Sequence, residues 1–181
     1  AFHMDRRVEW LIAYPERLVP DGAGFDRLVD RRCAREPLSH ITGRREFWSL
    51  DFAVGPQVLD PRPDSETLVE LLLDHIPDPG AALRLVDFGT GSGCLLLALL
   101  NELPQARGLG VDRSVAALEC AAGNARALGL ADRADFLLSD WAAAVSGPVD
   151  IILSNPPYIP SADIDTLAPE VHRHEPLQAL D

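Results

Sequence analysis

Asn155-Pro156-Pro157-Tyr158 concentrates hydrogen-bond acceptors at one point of the chain, directly after the apolar run Val149, Ile151, Ile152 and Leu153. The two prolines lack backbone N–H groups, hold φ at about −65° and bias the residue before each toward extended backbone. What remains is the Asn155 side-chain oxygen and the carbonyls of Asn155 and Pro156, beside the aromatic face of Tyr158. A rigid acceptor cluster of this kind suits a substrate that brings a planar NH2 group. Taken alone, the tetrapeptide is equally a proline-rich turn with an Asn cap. The apolar run before it reads as a buried parallel strand, and ligands of open α/β sheets bind just beyond strand carboxyl ends. Asn155 is therefore expected where a reacting group is held.

A second group of residues points to a nucleoside. Asp87-Phe88-Gly89-Thr90-Gly91-Ser92-Gly93 lies between a strand pattern (Leu83, Leu85, Val86, Phe88) and a helix pattern from Leu95 to Leu103. Glycines in this context let the backbone approach a ligand while helix-start N–H groups face its anionic end. The spacing is G-x-G-x-G, with Cys94 where a dinucleotide fingerprint keeps another spacer, which disfavours nicotinamide and flavin. Asp112 ends the next strand pattern, where a carboxylate can accept both hydroxyls of a ribose. Asp140 and Trp141 end the one after, offering an acceptor for an adenine amino group and an apolar plate for its ring. Each acid alone is also an ordinary helix or turn cap, but three successive strand ends carry ligand-type residues. Nothing resembles a Walker lysine, and His172, His174 and Glu175 lack the further ligand a zinc site needs, so no metal is expected.

The elements that must position these groups follow from periodicity. Val8, Leu11 and Ile12, then Phe25, Leu28, Val29 and Cys33, repeat at helical spacing up to Pro15 and Pro37 respectively. Phe47, Trp48, Leu50, Phe52 and Val54 suggest a β-hairpin, with Phe47 and Trp48 as packing residues. Asp60-Pro61-Arg62-Pro63-Asp64-Ser65-Glu66 is a stiff loop expected to cap the next helix, or to border an active site. From Leu83 onward strands and helices alternate, which implies an α/β fold with a doubly wound, mostly parallel sheet. Ser114 is placed to open the helix after Asp112, and Gly129 to close it.

Composition narrows the function classes. The formal net charge is -12 and every basic side chain is Arg. Lys is thereby excluded as catalytic base or Schiff-base former, and so acidic a chain disfavours nonspecific nucleic-acid binding. Cys33, Cys94 and Cys120 are widely spaced without C-x-x-C, as in a reduced, cytoplasmic protein. No stretch holds 18 uninterrupted apolar residues, so no membrane association is expected.

Asp87 to Gly93, Asp112, Asp140-Trp141 and Asn155-Pro156-Pro157-Tyr158 together resemble a Rossmann-like class I methyltransferase that uses S-adenosylmethionine and releases S-adenosylhomocysteine. Pro37 to Gly43, Glu46 to Leu50, Pro61 to Glu66, Ser154 to Pro160 and His174-Glu175-Pro176 are similar to the PrmC/HemK-type protein-(glutamine-N5) methyltransferases. The resemblance implies a glutamine amide in the Gly-Gly-Gln loop of a class 1 release factor as substrate, with a monomeric enzyme expected. Methylation of an exocyclic amine of DNA or RNA, and a non-catalytic cofactor-binding module, are the alternatives. The resemblance assigns the two amide-gripping acceptors to the Asn155 side chain and the Pro156 carbonyl. It places Pro157 and Tyr158 against the substrate, and gives the cofactor to Asp87, Gly89, Thr90, Gly91, Ser92, Gly93, Asp112, Asp140, Trp141 and Asn155. It also divides the chain into a partial helical substrate-recognition domain (1–45), a hairpin and linker (46–64) and a methyltransferase domain (65–181). Both ends are expected to be shorter than in the family, and Asp60 stands where an apolar residue is common.

Overall fold

The structure is a computed structural model that describes residues 22–181 together with Ala13 and Glu16. The expected helical stripe of Val8, Leu11 and Ile12 lies outside the described residues. Helix α1 (Gly22–Cys33) and the short α2 (Leu38–Thr42) precede the hairpin, the latter stopped by Gly43 at φ 72°. Strands β1 (Arg44–Phe47) and β2 (Leu50–Ala53) then form the expected antiparallel hairpin. Trp48 and Ser49 at its tip both have positive φ, 51° and 57°, the pattern of a type I′ turn. Non-glycine residues are costly there, and two carboxylates offset the cost. Glu66 accepts from the Trp48 N–H at 2.9 Å, and Glu46 from the Ser49 N–H at 2.7 Å.

The hairpin is more than a connector. Phe47 and Phe52 are fully buried, edge to face at 6.3 Å, in the same core as the leucines of the main domain. Asn124, itself buried, fastens it further: its amide accepts from the Ala53 N–H (2.8 Å) and donates to the carbonyls of Ala53 (3.0 Å) and Ser92 (2.9 Å).

The main sheet is built from β3 (Arg84–Phe88), β4 (Arg107–Asp112), β5 (Ala134–Leu138) and β6 (Ile151–Ser154), all parallel, in the order β5-β4-β3-β6. This is the doubly wound, Rossmann-like arrangement. The chain winds outward from β3 to β5, then returns to the far side of β3, and the reversal opens a crevice between the carboxyl ends of β3 and β6. Helix α4 (Cys94–Glu102) is apolar on every side from Leu95 to Leu100 because it lies between the sheet and α3 (Glu66–His75). Leu96, Leu97, Leu99 and Leu100 are fully buried, each stabilising by about 1.5–3 kcal/mol. Helix α5 (Val115–Ala127) begins as expected, with the Ser114 hydroxyl accepting from the Ala117 N–H. It ends at Gly129, φ 71°, with Leu130 N–H bonded to Ala125 O and Gly129 N–H to Arg126 O, the paired bonds of a Schellman motif.

Two expectations are corrected. The apolar run before Asn155 is not a buried strand. Among the described residues β6 is a sheet edge, Ile152 is 66% exposed, and only Leu153 is buried. Pairing on one side leaves the other flank of the strand open. The strand also starts later than the run, because Asp150 receives the Arg84 N–H on its carboxylate and anchors the entry instead. The loop from Asp60 to Glu66 does not cap α3 with a side chain. Ser65 makes no capping bond and is helical itself, ending a tight turn over Pro63–Ser65 that leads into the helix.

Candidate active site

A cavity of about 340 Å³ opens at the carboxyl ends of the strands, within the range of small-ligand sites. Its wall includes Asp87, Gly89, Thr90, Gly91 and Ser92 from the β3–α4 turn. Asp112 at the end of β4, Asp140 and Trp141 after β5, and Asn155, Pro156 and Pro157 after β6 complete it. Residues from four separate strand ends, selected above for their chemistry, thus face one space.

The turn after β3 is held by its own hydrogen bonds. Asp87 is buried and accepts the Thr90 hydroxyl at 2.8 Å on one oxygen, while its Oδ1 has no protein partner. Burial pushes its carboxyl up to about 7; the Thr90 bond opposes that shift and the Asp112 charge adds to it. Gly91 N–H donates to Asp112 Oδ2 (3.0 Å) and Ser114 N–H to Asp112 Oδ1 (2.9 Å). The Asp112 carboxylate therefore ties the turn to the next strand end and keeps further lone pairs for a ligand. Gly89 and Gly91 have φ of 73° and 55°; a Cβ would meet nothing within 4 Å at Gly89 and only the Gly89 carbonyl, at 3.9 Å, at Gly91. They form a cradle that a ligand can enter and that a Cβ would fill, so the residues fit a nucleoside with an amino-acid end.

Gly93 is different. It does not line the cavity, and a Cβ there would come within 3.1 Å of Leu97 and 3.2 Å of Ala121. Its lack of a side chain serves the close approach of α4 to α5. Trp141 sits at φ 49°, in a region strained for a large side chain. It is 55% exposed with its ring 6.0 Å from that of Phe88, available as a plate. Cys94 also lines the cavity, but burial pushes its thiol up to about 12. A thiol held so far toward its neutral form is a poor nucleophile.

On the opposite wall, the Ser154 hydroxyl donates to Phe88 O at 3.0 Å and pins the end of β6 to β3. Asn155 follows immediately, and among the described residues no protein hydrogen bond engages its side chain. Tyr158 is 78% exposed and lies off the cavity wall. The chain after it folds back, with Ile159 N–H on Leu180 O (2.9 Å) and Arg113 on Gln178 O (3.2 Å).

Sequence reasoning missed three contributors. Gln57, Val58 and Leu59 line the cavity from the linker after the hairpin. Asn124 was invisible because one Asn in an alanine-rich helix carries no pattern. The third is the ion pair between Arg62 and the buried Glu175, at 2.7 and 2.8 Å. Among the described residues no group of three or more His, Cys, Asp or Glu is placed to hold a metal ion, and no helix is long and apolar enough to cross a membrane.

Comparison with known proteins agrees with this geometry. The chain is 54% identical over 172 residues to a release factor glutamine methyltransferase of Rhodospirillum rubrum, covering 94% of this chain and 52% of that protein. Proteins of the same name from Bradyrhizobium diazoefficiens and Caulobacter vibrioides are 49% and 46% identical. They match 94% and 93% of this chain against 59% and 58% of their own length. The chain thus spans little more than half the length of these curated relatives. Residues 1–43 match the PrmC N-terminal domain. Residues 62–171 match the Methyltransferase small domain, and they contain every strand end that lines the cavity; the chain belongs to that methyltransferase family.

Proposed function

We propose that the chain catalyses S-adenosylmethionine-dependent N5-methylation of the glutamine side chain in the Gly-Gly-Gln loop of a class 1 peptide chain release factor. The observation that carries this reading is the single cavity that joins the glycine cradle and its carboxylates to the acceptors of Asn155 and Pro156. The names borne by the relatives point the same way.

The bound cofactor supplies a methyl group on a positively charged sulfur. Asp112 accepts the ribose hydroxyls on lone pairs left by its two backbone bonds, and Asp140 and Trp141 hold the adenine. The free Oδ1 of Asp87 receives the ammonium of the amino-acid end. Across the cavity, the Asn155 side-chain oxygen and the Pro156 carbonyl take both N–H bonds of the substrate amide. Those hydrogens become better donors as the nitrogen gains positive charge, so both bonds strengthen in the transition state. Positioning and electrostatics then carry the step without a dedicated base, and the methylated, cationic nitrogen releases one of its two protons to water to leave the neutral N-methyl amide. Pro157 and Tyr158 meet the substrate at the rim. Residues 1–45 serve as the recognition segment, 46–64 as hairpin and linker, and 65–181 as the catalytic domain of a cytoplasmic monomer.

Methyl transfer from labelled S-adenosylmethionine to a release factor, with DNA and RNA as parallel acceptors, tests the reading. Label in the Gly-Gly-Gln glutamine is expected; label in nucleic acid alone overturns it.

A further inference from the structure

Arg62 and Arg113 are the cations on the cavity wall among the described residues. Arg113 follows the ribose-side residue Asp112 and donates to the Gln178 carbonyl. Arg62 stands on the opposite approach, on the loop that precedes α3, and its environment is unusual. Both oxygens of Glu175 accept from the single nitrogen Nη2, at 2.7 and 2.8 Å, and the Glu175 side chain is 1% exposed. A forked ion pair would engage two guanidinium nitrogens. Here Nε and Nη1 make no protein hydrogen bond among the described residues, and the side chain is still 38% exposed. The buried carboxylate thus holds the guanidinium in place without using up its donors.

The held end of this pair is itself anchored. Glu170, five residues before Glu175, accepts from Arg32 (3.2 Å) and Arg35 (2.8 Å) at and beyond the end of α1. The segment 169–175 therefore links the end of α1 to Arg62 on the cavity wall. Asp87 lines the same cavity, and its buried Oδ1 has no partner. The cavity offers one unmatched buried acceptor and one guanidinium with open donors. Adenine and ribose can hydrogen-bond to either group but carry no formal charge to pair with them, whereas an α-amino-acid zwitterion brings a cation for the carboxylate and an anion for the guanidinium.

We propose that Arg62, locked by Glu175, binds the carboxylate of the amino-acid end of the methyl donor. This rests on the adenosylmethionine reading above. Arg62 is then a cofactor-binding residue, and Glu175 a positioning residue that acts through it.

Calorimetric titration of the full chain with S-adenosylmethionine and with decarboxylated S-adenosylmethionine tests this without turnover. The unaltered chain should bind the carboxylated form about 10-fold or more tightly, the scale of a charge-assisted bond. Arg62→Ala should remove that preference, leaving affinity for the decarboxylated form within about twofold of the unaltered chain. Glu175→Gln, which keeps an oxygen for Nη2, should retain more of the preference than Glu175→Ala. Equal binding of the two ligands by the unaltered chain overturns the assignment whether or not any variant folds. An equal loss for both ligands in Arg62→Ala also overturns it, by making the pair a structural brace. Binding of neither ligand by the unaltered chain overturns the adenosylmethionine reading and this proposal together.

Discussion

The two walls of the cavity are built by opposite means. On the β3–β4 side, polar groups bond chiefly to one another: Thr90 to Asp87, and Gly91 and Ser114 to Asp112. On the β6 side the prolines remove donors, the Asn155 side chain is left without a protein partner, and Tyr158 projects 78% exposed. A small ligand of fixed shape rewards a wall that is rigid before it arrives. A protein loop that must enter and leave is better served by acceptors kept open at a rim. The first wall is stabilised by its own network, the second by the chain around it, through Ser154 on Phe88 and Ile159 on Leu180.

The largest expected effect breaks the open wall alone. Asn155→Ala should lower kcat for release-factor methylation on the order of 10²-fold or more, as when one preorganised polar group is removed. Its affinity for S-adenosylmethionine, read by calorimetry, should stay within a few-fold; a comparable loss there would mean that the walls are not separable. Asn124→Ala attacks the rigid wall from behind by orphaning the Ala53 amide and the Ser92 carbonyl. It should cost about 2–3 kcal/mol of stability, a drop of roughly 5–10 °C in Tm. Asp112→Ala should weaken S-adenosylmethionine about 10-fold while sparing kcat at saturation, as befits one hydrogen-bonded charged group.

A smaller effect is expected from pH. The folded chain keeps a proton on Asp87 up to about 7, whereas the unfolded chain releases it near the ordinary carboxylate value. The stability this group contributes is full below that ordinary value and is lost as pH rises through about 7. A bound ammonium favours the ionised form, so the gain in Tm on adding S-adenosylmethionine should be larger at about pH 8 than at about pH 5.5. Asp87→Asn should flatten that difference. Smallest of all, Tyr158→Ala should change Tm by no more than about 0.5 kcal/mol equivalent, because an exposed side chain takes little packing with it. A large destabilisation would show that Tyr158 belongs to the built wall after all.

Much of this was legible in order along the chain. Period-two and helical patterns located the hairpin and the alternating units, and the glycine turn located the cradle because its context, strand then helix, is local. What failed was local reasoning applied to distant partners. The run before Asn155 reads as buried because Ile151, Ile152 and Leu153 are apolar, yet burial depends on what lies beside β6. Gly93 has the same residue type and nearly the same φ as Gly89, and only the position of Leu97 and Ala121 gives it a packing role. Asn124 carries no pattern at all, and nothing in His174-Glu175-Pro176 shows that Glu175 meets Arg62, since these partners lie 71 and 113 residues away.

The sequence by itself determined the types of chemical group at the strand ends, the winding of the sheet and the acceptor character of Asn155-Pro156-Pro157. These follow from side-chain chemistry, proline stereochemistry and hydrophobic period, all short in range. Tertiary structure alone decided which of those groups share a cavity, which polar atoms keep open lone pairs or donors, that the hairpin belongs to the site's frame and that Arg62 pairs with Glu175. The reason is physical: a hydrogen bond or a packed methyl is set by position in space, and positions far apart in the chain meet only when the whole core closes.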